Sequence, residues 1–335
     1  MSGVPEVRGS REVRPAAAQS GDSQSRGDSP RLPAPALLRL IRDDHRSGGS
    51  GIAARAADYL EALVAEHENP AAIERGILAL TLAQPEMAVI LHLADLALAG
   101  LDAGGAQGVH EATARFRASE GSARIAIARR AADLLAGVKR VLTLSASGTV
   151  ESALARAAGA GHRFEVVVAE GRPLLEGRDL AASLAAAGIP VTVVVDAALP
   201  AAVSAGDVVM VGADRVGWDG FINKVGTRAV VAAAAAARLP VYVLAPSTRF
   251  VPERVEGARE SERPAAEVWE APPPGVRVVN RTFEPVPFAG VSGIVVEDGV
   301  LRPAAAVERA LAVRLDARLV ARRLHALGPA GRVES

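Results

Sequence analysis

The sequence predicts an α/β chain: an N-terminal helical domain followed by a Rossmann-like, doubly wound parallel sheet. Three observations carry this. Apolar residues recur at helical spacing from Pro33 to about Gly137. From Lys139 onward, short β-branched runs alternate with alanine-rich helical stretches. Those runs are continuously apolar, as in strands covered on both faces. At 335 residues the chain has room for about two domains and a sizeable core.

Residues 1 to about 32 are rich in Ser, Gly, Arg and Pro and carry almost no apolar periodicity, so a disordered tail is expected there. The helical domain is expected over residues 33–137. A short helix opens at Ala36–Ile41, and the glycine-rich Ser47-Gly48-Gly49-Ser50-Gly51 breaks the pattern. Ile52 to Glu66 then stay in helical register through Ala56, Ala57, Leu60, Leu63 and Val64. Further helices are expected over residues 71–98, interrupted near Pro85, and over 106–119 and 122–136.

The Rossmann-like domain is expected over residues 138–335. Its strands are read at Val141–Leu144, Phe164–Val168, Val191–Val195, Val208–Val211, Val241–Leu244 and Ile294–Val296. Helices fall between them at about residues 149–160, 178–187 and 224–238. Right-handed crossovers would place these helices on both faces. The charged, Pro-rich stretch from Pro252 to Pro274 reads as a surface excursion.

Composition narrows the function. Thirty-eight basic residues balance thirty-eight acidic ones, so no direct nucleic-acid binding is expected. The chain has no cysteine, which removes disulfides, thiolate metal sites and thiol catalysis. No uncharged apolar run reaches membrane-spanning length, and no secretory signal pattern opens the chain. A cytoplasmic location with no membrane partner is the expectation. Lys139 and Lys224 are the only lysines among the 38 basic residues, and Asn69, Asn223 and Asn280 are the only asparagines. In so Arg- and Ala-rich a chain, surviving Lys and Asn mark places where a compact ammonium or an amide is needed. Asn223 and Lys224 are adjacent.

In a doubly wound sheet, ligands bind beyond the carboxyl ends of the strands. Ser145-Ala146-Ser147-Gly148-Thr149 follows the first strand, Glu170-Gly171-Arg172-Pro173 the second, and Asp196 the third. Gly212-Ala213-Asp214-Arg215 follows the fourth, and Pro246-Ser247-Thr248-Arg249 the fifth. Hydroxyls, carboxylates and arginines on one edge suit a small, polar, anionic ligand. The Ser145–Thr149 turn suits a phosphate cradle, and equally suits plain helix capping by Ser147. The segment from Gly220 to Thr227 is read as a loop into a helix opening at Asn223-Lys224, an anion site with an ammonium beside helix N–H groups. No G-x-G-x-x-G follows the first strand and neither lysine lies in a P-loop, so no nucleotide cofactor and no metal are expected. Ser145, His162 and Asp196 lack the nucleophile-elbow spacing of a hydrolase.

Gly212-Ala213-Asp214-Arg215, then Asn223-Lys224-Val225-Gly226-Thr227, then Val241-Tyr242-Val243-Leu244-Ala245-Pro246-Ser247 resembles the initiation factor 2B alpha/beta/delta-subunit family, which includes methylthioribose-1-phosphate and ribose-1,5-bisphosphate isomerases. Glu170-Gly171-Arg172-Pro173, Gly188-Ile189-Pro190-Val191 and Asn280-Arg281-Thr282-Phe283-Glu284-Pro285 are similar to further family segments, and the likeness covers about residues 37–315. The resemblance implies aldose–ketose isomerisation of a phosphorylated pentose. It implies a catalytic Asp at Asp214, and a catalytic Cys at a position where this chain carries Ser145. It also implies substrate contacts at Gly48, Gly49, Ser50, Gly51, Ser147, Gly148, Glu170, Arg172, Asn223 and Lys224, and a homodimer or higher homo-oligomer. A serine hydroxyl is a far weaker acid than a thiol and needs an adjacent base. Two readings therefore stay open: an isomerase, or a non-catalytic regulatory protein of the same family that binds a sugar phosphate or nucleotide.

Overall fold

Helix initiation, apolar strand runs and two glycine-mediated close approaches build the fold. The structure, a computed structural model, describes residues 32–252 and 262–327. The expected tail, apart from Leu32, and residues 253–261 of the expected excursion lie outside them.

The first helix, α1 (Ala34–Asp43), carries Pro in its first turn, where the fixed φ is already helical. α2 (Gly49–Glu66) starts inside the glycine-rich stretch, so the expected break ends at Gly48, its N-cap. α3 (Pro70–Leu80) is capped by Asn69, whose side chain accepts from the Ala71 N–H at 2.9 Å. The interruption expected near Pro85 is real: residues 81–87 are non-helical. α4 (Ala88–Asp133) bends at Gly104 and Gly105, then runs on without the break expected near residue 120. One mid-helix glycine, Gly121, costs only about 1 kcal/mol. Burial of Phe116, Ala123 and Ile127 on either side offsets that. An 18-residue stretch of α4 has a mean hydropathy of 1.4, apolar enough by length and composition to cross a bilayer. Here Val89, Ile90, Leu93, Ala97 and Leu98 of α4 instead pack with Ile52, Leu60, Ile73 and Ile77 in the helical core.

The sheet begins with β1 (Arg140–Leu144), α5 (Gly148–Gly159), β2 (Glu165–Ala169), α6 (Glu176–Ala186) and β3 (Val191–Val194). β4 (Asp207–Gly212), β5 (Arg215–Val216), β6 (Gly220–Lys224), α7 (Thr227–Ala236) and β7 (Val241–Leu244) follow. β8 (Phe283–Pro287), β9 (Gly293–Val296), β10 (Gly299–Leu301), α8 (Pro303–Ala312) and α9 (Ala317–Leu327) complete the described chain. The main sheet has the order β10-β9-β7-β4-β1-β2-β3, parallel except for β10. Successive side chains serve opposite faces. Val141, Val166, Val168 and Met210 meet α4, α5 and α6. Leu142, Val167, Val209 and Val211 meet α7 and α8. This double coverage is why the strands read as continuous apolar runs.

The chain winds outward through β1, β2 and β3, then returns to place β4 on the other side of β1. That reversal opens a crevice at the carboxyl ends of β1 and β4. A second, antiparallel sheet, β5-β6-β8, stands beside it. It corrects the expected helix start at residue 224: Asn223 and Lys224 end a strand, paired with Glu284 and Phe283, and α7 opens only at Thr227. The mixed Gly-Phe-Ile-Asn-Lys run has too little β-branched character to announce a strand.

Candidate active site at the switch point

Two strand ends and two helix starts converge on the crevice. Close approach requires glycine at two of these places. A Cβ on Gly212, the last residue of β4, would lie 2.7 Å from Ser147 Oγ. One on Gly48 would lie 3.0 Å from the Ala146 carbonyl oxygen. With no side chain at either place, the turn after β1 packs between β4 and the start of α2. The N-termini of α2 and α5 therefore stand side by side, and both ends are suited to anions. Ser147 caps α5, accepting from the Val150 N–H at 3.4 Å, as the simpler sequence reading expected.

Asp214 follows β4 and is buried. Its backbone N–H donates to the Ile222 carbonyl at 2.9 Å and its carbonyl accepts from Ala88 N–H at 3.2 Å, so its position is set by both neighbours. Burial pushes its carboxyl up to about 6. Arg249 pulls it down, Glu86 pushes it up, and Lys224 and the Gly49 backbone N–H pull it down. Desolvation wins, leaving a carboxyl that titrates close to neutral pH.

Across the crevice, Glu176 accepts hydrogen bonds at a single oxygen, Oε1, from Lys224 Nζ and, at 3.2 Å, from Ser145 Oγ. Glu176 and Lys224 are 5 % and 4 % exposed, so this is a buried ion pair. Ser145 has φ 61°, a left-handed conformation uncommon for serine and often found at functional sites. Asn223 directs its amide to Thr227 Oγ1 at 2.9 Å. Arg249, 3 % exposed, reaches Glu120 and Thr248 and closes one side. On the rim, His45 Nδ1 lies 2.5 Å from Glu267, which also accepts from Asn280 at 2.7 Å.

Of the residues singled out in the sequence, Ser145, Ser147, Gly148, Asp214, Asn223, Lys224, Gly48, Gly49 and Ser50 line one cleft. Gly51 does not; it lies one residue further into α2, and its N–H is bonded to the Gly48 carbonyl. Glu170 and Arg172 do not line it either. The turn after β2 is closed on itself, with Gly177 N–H bonded to the Glu170 carbonyl at 3.0 Å. Glu170 pairs with Arg178 at 2.6 Å. The carboxylate of Asp196 holds the Gly171 and Arg172 N–H groups at 2.9 and 2.8 Å, and the Arg172 guanidinium donates to the Val268 carbonyl. This closed turn delivers Glu176, the first residue of α6, to the cleft. Sequence reasoning took the carboxylate nearest the strand and missed the one at the helix start. An acidic residue opening a helix after a strand end was the available signal. Arg249, read at a strand end but not assigned to the site, also lines the cleft. Among the described residues, no group of three or more His, Asp or Glu side chains is placed to hold a metal.

The switch point of this doubly wound sheet thus brings together two helix N-termini, two buried cations and two buried carboxylates, in the place where such sheets hold their ligands. The chain belongs to the initiation factor 2 subunit family, whose model matches residues 50–303. It is 38 % identical over 168 residues to a methylthioribose-1-phosphate isomerase of Gemmatimonas aurantiaca, covering 48 % of each chain. It is 36 % identical over 168 residues to a ribose 1,5-bisphosphate isomerase of Archaeoglobus fulgidus, covering 49 % of this chain and 54 % of that one. Among solved structures, translation initiation factor eIF-2B of Pyrococcus horikoshii OT3 superposes with a TM-score of 0.73 at 25 % identity, covering 82 % of this chain and 100 % of that one. The chain spans about half the length of the curated relatives it matches.

Proposed function

We infer that the chain is a sugar-phosphate isomerase that interconverts a phosphorylated aldopentose and its ketose, of the methylthioribose-1-phosphate or ribose-1,5-bisphosphate type named in its relatives. The observation that carries this is Asp214, a buried carboxyl raised to about 6 between Arg249 and Lys224. A pure anion-binding cleft has no use for a carboxylate at its centre. A proton-transfer site needs one that titrates near the working pH. The α2 and α5 N-termini, through Gly48, Gly49, Ser50, Ser147 and Gly148, hold phosphate together with Lys224. Asn223 offers its amide to a sugar hydroxyl. Asp214 carries a proton between substrate oxygens. Aldose and ketose are isomers, so no redox cofactor is required.

The same reading takes the protein as a cytoplasmic homo-oligomer. Val193 and Val195, half-exposed at the open β3 edge, suit a covering surface. The regulatory reading draws on the absent thiol at Ser145, and it has less support than the isomerase. A thermal-shift series tests the function. Phosphorylated pentoses should raise the melting temperature, and the same sugars without phosphate should not. Equal shifts from both, or none from either, would count against it.

A further inference from the structure

We propose that Glu176 is the proton acceptor that makes Ser145 competent, so that Ser145 and Glu176 act as one relay for the carbon-bound hydrogen of the substrate. The proposal rests on the isomerase reading and deepens it.

Four features of the cleft point here. A serine hydroxyl is inert as a base unless a neighbour takes its proton, and Ser145 Oγ already donates to Glu176 Oε1 at 3.2 Å. Ser145 is held in the left-handed region at φ 61°, a conformation that persists only where the surroundings impose it. Glu176 Oε2 is buried without a hydrogen-bond partner, which is uncommon for a carboxylate oxygen. Finally, Lys224 Nζ and Ser145 Oγ donate to the same oxygen, Glu176 Oε1, so the carboxylate is held against the hydroxyl by a buried ion pair. Asp214, across the cleft, is a second buried carboxyl, and desolvation favours its neutral acid. Two carboxyls facing one cleft supply the two halves of an acid–base reaction, one taking a proton through Ser145 and the other giving one to oxygen.

The step balances without an oxidant. As the C2–H bond breaks, its proton passes to Ser145 Oγ while the serine proton passes to Glu176 Oε1. The C–H electron pair becomes the C1–C2 double bond, and the electron pair displaced from carbon 1 onto oxygen takes a proton from Asp214. In the second half, Glu176 returns its proton through Ser145 to C1, and Asp214 recovers one from the O2 hydroxyl.

Glu176 acts through Ser145 and is therefore a positioning residue. Its test needs a readout that a structural role would not move. Glu176→Gln, Ser145→Ala and the double variant are assayed on phosphorylated pentoses by NMR in deuterated water. Each single change should lower kcat by about 10²-fold or more with KM nearly unchanged, the share of a general base. The double variant should be no slower than the slower single, because the two act as a unit. Losses that multiply in the double variant, or full turnover in either single variant, would each overturn the relay. Ser145→Ala leaves the Glu176–Lys224 pair whole, so it still tests the idea if Glu176→Gln does not fold. A parent without turnover on any phosphorylated pentose overturns the isomerase reading and this one with it. A parent that turns over beside an unaffected Glu176→Gln overturns this one alone.

Discussion

The interior of the main sheet and the crevice at its carboxyl edge lie within a few residues of each other along β1 and β4, yet obey opposite rules. Leu142, Val209 and Val211 are fully buried among other apolar side chains. A few residues on, Asp214, Glu176, Lys224 and Arg249 are nearly as buried, and all are ionisable. In the sheet, burial contributes stability through apolar area. At the crevice, burial costs free energy, and the fold retains it because desolvated charge is chemically useful. The difference teaches that the sheet interior is held by apolar area, whereas the crevice is held by the pairing of its buried charges.

Lys224→Ala attacks the crevice hardest. It strands Glu176 as an unpaired buried charge, so stability should fall by about 3–5 kcal/mol, and the phosphosugar should also bind less tightly. Denaturant unfolding of this variant beside Lys224→Met/Glu176→Gln checks it. Removing both charges should recover most of the loss. At 4 % exposure Lys224 is part of the packed interior, which is why its removal reaches folding as well as binding.

Leu142→Ala is the matching change in the sheet. The cavity it opens should cost about 2–5 kcal/mol. Ligand affinity of the folded fraction, read by calorimetry, should stay at the parent's value. A large affinity loss here would erase the separation between the two regions.

The pH dependence of stability is the next smaller effect. Asp214 is raised from 3.8 to about 6 in the folded state, so the folded protein holds a proton that the unfolded chain has released. Its unfavourable contribution is absent below the unfolded value and grows as pH rises through 4 to 6, levelling off above that. Asp214→Asn should therefore gain on the parent between pH 4 and 8, by up to about 3 kcal/mol. Melting curves across that range check it, and a pH-independent difference would contradict the burial account.

The turn after β2 supplies the smallest effect. Glu170→Gln removes a pair whose arginine is largely exposed, so stability should move by less than about 1 kcal/mol and ligand binding not at all. A tenfold affinity loss in titration would return Glu170 to the site.

The same contrast explains what was legible beforehand. Val166, Val209 and Ile294 announce their strands because both faces are covered. Asp214 was legible because it directly follows an apolar strand. Glu176 was not, because a closed turn of six residues separates it from its strand and only folding brings it to Lys224. The second sheet was hidden because β5 has two residues and β6 mixes Gly, Asn and Lys. Scarcity was a partial guide. Lys224 is a buried site residue and Lys139 lies on the surface. Asn69 and Asn280 spend their amides on a helix cap and on the rim at Pro264 and Glu267.

The central claim is that the buried charges at the switch point transfer protons rather than only bind. Interconversion of phosphorylated aldopentose and ketose, followed by NMR on parent and Asp214→Asn alongside ligand titration, tests it most directly. The expected result is turnover by the parent and a loss of about 10²–10⁴-fold in the variant, with binding retained or tightened. Full turnover in Asp214→Asn, or none in the parent while it binds the same ligand, would contradict the claim.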